Sequence, residues 1–434
     1  MLLRLARHQA LKKKINNTIN MGSYWQRLAI IALMGLAAIM FGFFLYWFFW
    51  RSFFNPPEIT TPTATTTPGQ LTGAGDVGIR PISTSTLEQL ITATSTSVTE
   101  TIEVSDVANG GLTKTEAIVK DPTLFSTMTS GGQINYLNTK DGKFYRLGAD
   151  GQAVALSDQT FFGASDVFWD GAGERATIEF EDGSNIVYDF ATKKQVILPA
   201  HWQDLKITTN GDSIAFKNMA YEVENRYLAI SKFDGSQPKI IESIGANADK
   251  VQINWSPNSQ VVAQYIEGKD SSRSEVYFVG QNKENFRSMV VQGRGFEGKW
   301  SPSGNFMLYS TYDVNDGYRP SLWISAASGE NIGASRSPIP LRTFVDKCTF
   351  AEDRFVICGA PEEMPAGAGL NRNEADKTQD NIWLMDLATG DMRMIAKPQG
   401  ARTVENIMYS ASNPGKIFFS EKNDNRIYQI NLPL

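Results

Sequence analysis

The chain contains few residues of the kinds that carry out nucleophilic or metal chemistry. It has only two cysteines and two histidines, which is too few for a metal centre built from Cys and His ligands. His201, beside Trp202, is the one histidine beyond the N-terminal region. A catalytic histidine needs a nucleophile and an orienting acid, and the sequence has no G-x-S-x-G nucleophile elbow. The sequence therefore predicts a packing or surface role for His201 and a protein without catalytic residues, metal or cofactor.

The two cysteines are placed for a possible cross-strand link. Cys348 and Cys358 flank the segment Thr349–Ile357, which is typical of two short strands joined by a turn near Asp353. If the turn centres there, the cysteines face each other across the hairpin, at a separation that a disulfide can bridge when its demanding geometry is met. The sequence favours a disulfide, and two buried free thiols are the alternative.

Two other motifs invite a ligand-binding interpretation. The segment Asp313–Gly317 resembles a calcium loop, but its spacing does not match the EF-hand pattern and no glutamate follows at the required distance. An ordinary Asn/Asp/Gly turn is the better prediction. Trp255 and Trp300 could stack on a ligand, but each ends a short apolar strand before a tight turn. That position predicts packing between neighbouring sheets.

These tryptophans belong to a repeat. Trp255-Ser256-Pro257-Asn258-Ser259 and Trp300-Ser301-Pro302-Ser303-Gly304 stand about 45 residues apart, a period typical of propeller blades. Turn-forming segments indicate seven turns between the first and second strands of a blade and six between the third and fourth. The last blade therefore lacks a strand. Ala117-Ile118-Val119-Lys120 has the right length and character to supply it, so the sequence predicts an all-β, seven-bladed β-propeller closed by an N-terminal strand.

The W-S-P turns and the strand-turn Leu384-Met385-Asp386-Leu387-Ala388-Thr389-Gly390 resemble the repeats of TolB-like, WD40-like propellers of bacteria. The resemblance covers about residues 117–434, although Asn258 and Ser303 replace the usual aspartate of the turn. It implies the propeller fold and leaves the function open, because this repeat serves many roles.

The connections between second and third strands are short in blades one and two and longer in blades three to six. The longer ones are Asn218–Asn225, Glu267–Ser274, Tyr312–Pro320 and Gly359–Asp380, and the link Gly333–Asp346 between blades five and six is also long. All of them belong to one face of the ring, and long loops on a rigid scaffold often carry recognition. The candidate binding residues are Tyr221, Arg273, Tyr312, Tyr318, Arg319, Asn371, Arg372 and Glu374. The alternative is that these loops are tolerated surface insertions.

The N-terminal region predicts a membrane anchor and a stalk. Residues 28–50 contain no charge and are long enough to cross a bilayer as a helix. Basic residues precede this stretch and almost none follow it at once, so residues 1–27 are expected in the cytoplasm and the propeller outside. Residues 51–115 are rich in Thr, Ser and Pro and are expected to form a flexible stalk, with the propeller at 116–434. A cleaved signal peptide is the competing interpretation.

Together these features predict a single-pass cell-membrane protein whose extracytoplasmic propeller is a non-enzymatic binding module. The expected ligand is a protein or a cell-envelope glycan, and the net charge of −5 argues against nucleic acid. Two alternatives stand beside this one. The propeller could be a hydrolase or lyase of envelope polymer that uses carboxylates of the loop face, or the chain could be a structural subunit of a membrane complex. Paired carboxylates at the centre of the ring would favour the enzyme.

Overall fold

A computed structural model describes residues 33–36, 40–41 and 103–433 of the chain. Residues 103–433 form 29 β-strands, β1 to β29, joined by turns and short 3₁₀ helices. No helix in the described ranges is long and apolar enough to span a bilayer. Most of the predicted anchor at 28–50 and most of the predicted stalk lie outside the described residues.

The strands form seven separate sheets arranged as the blades of a propeller, so the predicted fold is confirmed. Blades one to three contain β3 (Thr123–Met128), β4 (Ile134–Asn138), β5 (Phe144–Leu147), β6 (Ala153–Ala155), β7 (Ala164–Trp169), β8 (Arg175–Phe180), β9 (Asn185–Asp189), β10 (Lys194–Leu198), β11 (Trp202–Ile207), β12 (Ser213–Asn218), β13 (Tyr227–Lys232) and β14 (Lys239–Ser243). Blades four and five contain β15 (Val251–Ile253), β16 (Val261–Gly268), β17 (Arg273–Gly280), β18 (Met289–Gln292), β19 (Arg294–Trp300), β20 (Phe306–Tyr312), β21 (Pro320–Ala326) and β22 (Ser337–Ile339). Blades six and seven contain β23 (Cys348–Ala351), β24 (Phe355–Pro361), β25 (Asp380–Asp386), β26 (Met392–Pro398), β27 (Val404–Met408), β28 (Lys416–Glu421) and β29 (Ile427–Asn431).

The fourth strand of blade seven comes from the N-terminal side of the propeller, as predicted. Strand β2 (Glu116–Val119) lies antiparallel to β29, with Ala117 opposite Tyr428 and Val119 opposite Ile427. A further strand, β1 (Leu112–Thr113), lies parallel to β26 as the fifth strand of blade six. The stalk predicted at 51–115 includes residues 112–113, whereas in the structure they cover the outer edge of a blade.

The core lies between blades, because the side chains of each sheet pack against the next sheet. Trp300 of blade five is 8% exposed, and its indole N–H donates to the carbonyl oxygen of Asn254 in blade four at 3.0 Å. Trp255 packs on a cluster shared by blades three and four. The W-S-P tryptophans are therefore structural, as the sequence predicts.

Cys348 and Cys358 are directly opposite each other on β23 and β24 and form a disulfide, with their Cα atoms 4.1 Å apart. Both are buried in the contact between blades five and six.

We expect the double replacement Cys348→Ala and Cys358→Ala to lower the free energy of unfolding by about 3 kcal/mol, because the unfolded chain loses a loop constraint. Denaturant unfolding with and without reductant measures this loss. Equal stability of the native chain in both conditions would contradict the link.

Candidate functional site

The face that carries the connections between second and third strands is called the long-loop face. Its larger connections in the structure span residues 219–226 in blade three, 313–319 in blade five and 362–379 in blade six. Each contains a 3₁₀ helix, at Val223–Asn225, Val314–Asp316 and Arg372–Lys377. Asp313 caps the second of these helices by accepting a hydrogen bond from the main-chain N–H of Asn315 at 2.7 Å. Asp313–Gly317 is therefore a capped turn, as predicted.

Blade four differs from the prediction, because half of Glu267–Ser274 is strand. The ladder between β16 and β17 continues to the pair Gly268 and Ser274, which leaves a connection of residues 269–272. Asp270 closes it: its carboxylate accepts from the main-chain N–H of Arg273 at 2.8 Å and from its guanidinium Nε at 2.7 Å. Arg273 is therefore paired within its own hairpin. Longer strands with a tight turn replace the expected loop.

The loops of blades five and six are hydrogen-bonded to each other. The main-chain N–H groups of Gly367 and Gly369 donate to the carbonyl oxygens of Gly317 and Tyr318 at 2.7 and 2.8 Å. The Nε of Arg319 donates to the carbonyl oxygen of Met364 at 2.8 Å. These three bonds join the two loops into one unit, and the Arg319 side chain supplies one of them.

The same unit is tied to blade four and to the link between blades five and six. The side-chain amide of Gln292, at the end of β18, donates to Asp313 at 3.1 Å. Arg342, in the link, pairs with Asp316 at 2.5 Å. We call the connections 269–272, 313–319 and 362–379 the loop ridge. Side chains from outside the ridge therefore hold its middle loop at two points.

The ridge and the adjoining end of β20 present both aromatic and aliphatic side chains. Tyr312 and Tyr318 lie with ring centroids 6.4 Å apart in an edge-to-face arrangement, and both are half-buried. A Cβ atom at Gly369 would collide with the ring of Tyr312, so the loop of blade six approaches blade five as closely as glycine permits. Val314 and Leu370 are 53% and 62% exposed on the two joined loops. The ridge thus combines a rigid backbone with exposed apolar groups.

Arg372 is directed to the inner end of blade six. Its guanidinium pairs with Asp346 at 2.5 Å, lies 4.0 Å from Asp376, and stands 4.6 Å from the ring centroid of Phe344. Burial acts to lower the pKa of Arg372, but the neighbouring carboxylates, Asp346 first, outweigh it and raise the pKa. Arg372 therefore anchors the blade-six loop.

The other candidates lie at separate points. Asn371 precedes the 3₁₀ helix of blade six, and Glu374 pairs with Lys377 at 3.0 Å on its exposed side. Tyr221 is 93% exposed on the loop of blade three. The structure thus brings Tyr312, Tyr318 and Arg319 together. Arg273 is one blade away, and Tyr221 is two blades away.

The selection by residue type missed a set of acids on the innermost strands. Asp166, Asp204, Glu297 and Glu405 each stand three residues before the last residue of the first strand, in blades two, three, five and seven. None of the four is buried, although they lie on the strands nearest the axis of the ring. Aligning the blades on their strand ends would have revealed this recurring acidic position.

In blade five, Lys299 follows the acidic position Glu297 by two residues on the same strand. Although the Glu297 side chain reaches solvent, partial desolvation by the surrounding strands, with the charge of Asp346 next, raises the pKa of its carboxyl. Burial lowers the pKa of Lys299, whose Nζ donates to the carbonyl oxygen of Cys348 at 2.5 Å. No group of three or more His, Cys, Asp or Glu side chains suited to a metal ion occurs in the part of the chain that the structure describes.

A comparison with protein-family models gives no match for this chain, and a comparison with curated protein sequences gives none either. Several solved structures share its fold. An oligogalacturonate lyase in complex with manganese is 11% identical, over 74% of this chain and 93% of its own, with a TM-score of 0.45. TolB from Acinetobacter baumannii is 15% identical, over 50% of this chain and 55% of its own, with a TM-score of 0.36.

The β-propeller domain of the trilobed protease from Pyrococcus furiosus is 12% identical, over 60% of this chain and 79% of its own, with a TM-score of 0.42. At these identities the likeness concerns the fold alone. Enzymes and binding proteins both use this architecture, so the function has to be argued from the side chains of this chain.

Proposed function

We propose that this chain is a membrane-anchored, extracytoplasmic propeller that binds a protein partner, without catalysis, through the long-loop face of blades three to six. The observation that carries the proposal is the bracing of the loop ridge. Two main-chain bonds and Arg319 join its blade-five and blade-six loops, and Gln292 and Arg342 hold the middle loop from outside. A loop that is already ordered does not have to lose conformational freedom when it binds.

The chemistry of the ridge favours a protein over a small molecule. Val314 and Leu370 are exposed aliphatic side chains on adjoining loops, and two tyrosines lie beside them. Exposed apolar groups with a polar surround are typical of protein-binding surfaces, and tyrosine is enriched among the residues that dominate binding energy. Arg273, Arg319 and Arg372 contribute indirectly, because each is engaged in holding a loop.

The proposed location rests on the sequence and is consistent with the disulfide. Residues 28–50 have the length and composition of a membrane span, with basic residues on their N-terminal side. A buried disulfide at Cys348 and Cys358 persists most readily in an oxidising compartment, such as the outside of a bacterial membrane.

The test places a charge on the ridge at side chains that make none of the hydrogen bonds or ion pairs joining its loops. We expect Leu370→Asp and Val314→Asp to weaken capture of the partner at least about tenfold, because a carboxylate would be desolvated in the complex. Full-length protein in its native membrane is crosslinked, purified and analysed by mass spectrometry, and the captured protein is titrated against each variant.

The matched control is Ile197→Asp, because Ile197 is 74% exposed on the outer strand of blade two, away from the ridge. It should leave capture unchanged. Equal loss in the control and the ridge variants, or crosslinks that map to blades one and two, would contradict the proposal. Shortening of envelope polymer by the purified protein would instead favour the hydrolase or lyase alternative.

A further inference from the structure

A second feature of the long-loop face is a cavity of about 570 Å³ between blades two and three, bordered by the start of blade four. It lies outside the loop ridge, between the short connection 181–184 of blade two and the start of the connection 219–226 of blade three. Its polar lining includes Ser165, Glu179, Asn185, Gln203, Asp204 and Lys217. Its apolar lining comes from Phe180, Ala200, Met219 and Ala248. A concave site with a few fixed polar groups over an apolar surface is typical of small-ligand binding.

Glu179 is a fixed acceptor in this cavity. One carboxylate oxygen accepts from the main-chain N–H of Leu205 at 2.7 Å, and the other accepts from that of Asp204 at 3.2 Å. Two bonds to the neighbouring blade therefore hold the carboxylate in place, while each oxygen retains capacity for a further donor. Burial raises the pKa of Glu179 despite these bonds.

Lys217 is a fixed donor in the same cavity. Its Nζ lies 3.0 Å from Oδ2 of Asp204, and Lys206 pairs with Oδ1 at 3.5 Å. The side chain of Lys217 is only 14% exposed, so it has little freedom to turn away. An ammonium group has three protons, and at least one is left for a ligand after the bond to Asp204.

The lining selects the class of ligand. A hydroxyl group donates one hydrogen bond and accepts others, so a row of hydroxyls matches a site that offers both Glu179 and Lys217. Four lining residues are acidic, Glu179, Glu181, Asp204 and Asp249, against one lysine, which opposes an anionic ligand. The apolar lining suits the C–H face of a sugar ring. We propose that this cavity binds an uncharged saccharide unit.

This site is separate from the loop ridge and does not rest on the proposed protein-binding function. The residues that line it belong to blades two and three and to the link into blade four, and none of them braces the ridge. Ridge variants should therefore leave saccharide binding intact, and cavity variants should leave capture of the protein partner intact.

The test is calorimetric titration of the full-length protein in detergent with three trisaccharides. Two are neutral, maltotriose and N-acetylchitotriose, and the third is the anionic trigalacturonate. We expect at least one neutral trisaccharide to bind and the anion not to bind. Ala200→Trp should weaken binding at least about tenfold by filling the cavity from its exposed edge, and Lys217→Gln should weaken it because a shorter, uncharged amide replaces the ammonium donor.

The matched control is Ala191→Trp, since Ala191 is an exposed alanine in the turn between β9 and β10, on the opposite face of blade two. It should bind as the native chain does. The proposal is overturned if neither neutral trisaccharide binds at millimolar concentration, if trigalacturonate binds more tightly than both, or if Ala200→Trp binds unchanged. Native unfolding midpoints for Ala200→Trp and Lys217→Gln would show that any loss of binding is local.

Discussion

Replacing Lys347 with alanine is expected to lower the free energy of unfolding by about 3–5 kcal/mol. Its Nζ donates to Oδ2 of Asp380 at 2.9 Å, and the two side chains are 1% and 0% exposed. The same oxygen accepts from the main-chain N–H of Val404 at 2.8 Å, while Oδ1 is buried without a partner. The replacement removes the cation and leaves a carboxylate in the interior between blades six and seven. Denaturant unfolding of the native and variant chains measures the loss.

The dependence of this loss on pH identifies its cause. Burial raises the pKa of Asp380, and Lys347 is the first of the groups that oppose that rise. Without the lysine, the folded-state pKa of Asp380 should rise further above its unfolded value. Between the two values the folded variant binds more protons than the unfolded chain, so its stability falls as pH rises. The deficit relative to the native chain should therefore shrink when the pH is lowered from 7 to 5.

The control for this prediction is the double replacement Lys347→Met and Asp380→Leu. Removing both charges costs far less than removing one, because apolar groups of similar volume need no counter-ion. The double variant should recover most of the loss, apart from the unpaired N–H of Val404. A double variant that is no more stable than Lys347→Ala, or a deficit that does not change with pH, would show that the pair does not act through charge.

The propeller itself could be predicted from the sequence, and the reason is its repetition. The W-S-P turns at Trp255 and Trp300 mark two blades directly, and the spacing of the turn residues extends the count to seven. The closing strand was predictable because blade seven lacked a fourth strand and Ala117–Lys120 had the pattern to provide it. A turn that recurs from blade to blade is supported by several segments of the sequence, so the prediction does not depend on any one of them.

Features that occur once were harder to predict. Strand β1 contains only Leu112 and Thr113 and follows a polar segment, so no period marks it. Its pairing with Lys397 and Pro398 joins residues far apart in the chain, which local patterns cannot report. The sequence predicts a loop at Glu267–Ser274, but the two strands pair as far as Gly268 and Ser274, so only residues 269–272 turn.

The candidate residues show the limit of selection by residue type. Arginine and tyrosine on long loops suggested a binding surface, but Arg319 and Arg372 are engaged by acceptors of the propeller itself. Whether a guanidinium faces solvent depends on acceptors distant in sequence, such as the carbonyl of Met364 in the next blade and the carboxylate of Asp346 just before β23. The acids at Asp166 and Glu297 carried a positional signal, which becomes visible once the blades are aligned on their strand ends.

Deleting the chain up to Lys120 should open the ring and lower the free energy of unfolding by roughly 3–6 kcal/mol, from the burial of two aliphatic side chains. Val119 is 7% exposed and packs with Ile134 and Leu147 of blade one, and Ile118 adjoins the same cluster. Strand β2 therefore completes blade seven and also seals its contact with blade one. Without it, the edge of β29 is left unpaired. Denaturant unfolding and hydrogen exchange in β29 measure the effect.

Two matched chains separate ring closure from mere truncation. Deletion up to Lys114 removes β1 but keeps β2, and it should cost less, because blade six retains its four other strands. In the second chain, residues 115–120 are removed from the N-terminal side and attached after Leu434 through a short glycine turn. The antiparallel pairing of Glu116 with Gln429 allows this segment to return beside β29 as a hairpin, and stability should be restored. If the deletion up to Lys120 is no less stable than the deletion up to Lys114, then the strand does not hold the ring together. A relocated segment that fails to restore stability would instead show that the chain connection into blade one contributes the stability assigned here to strand pairing.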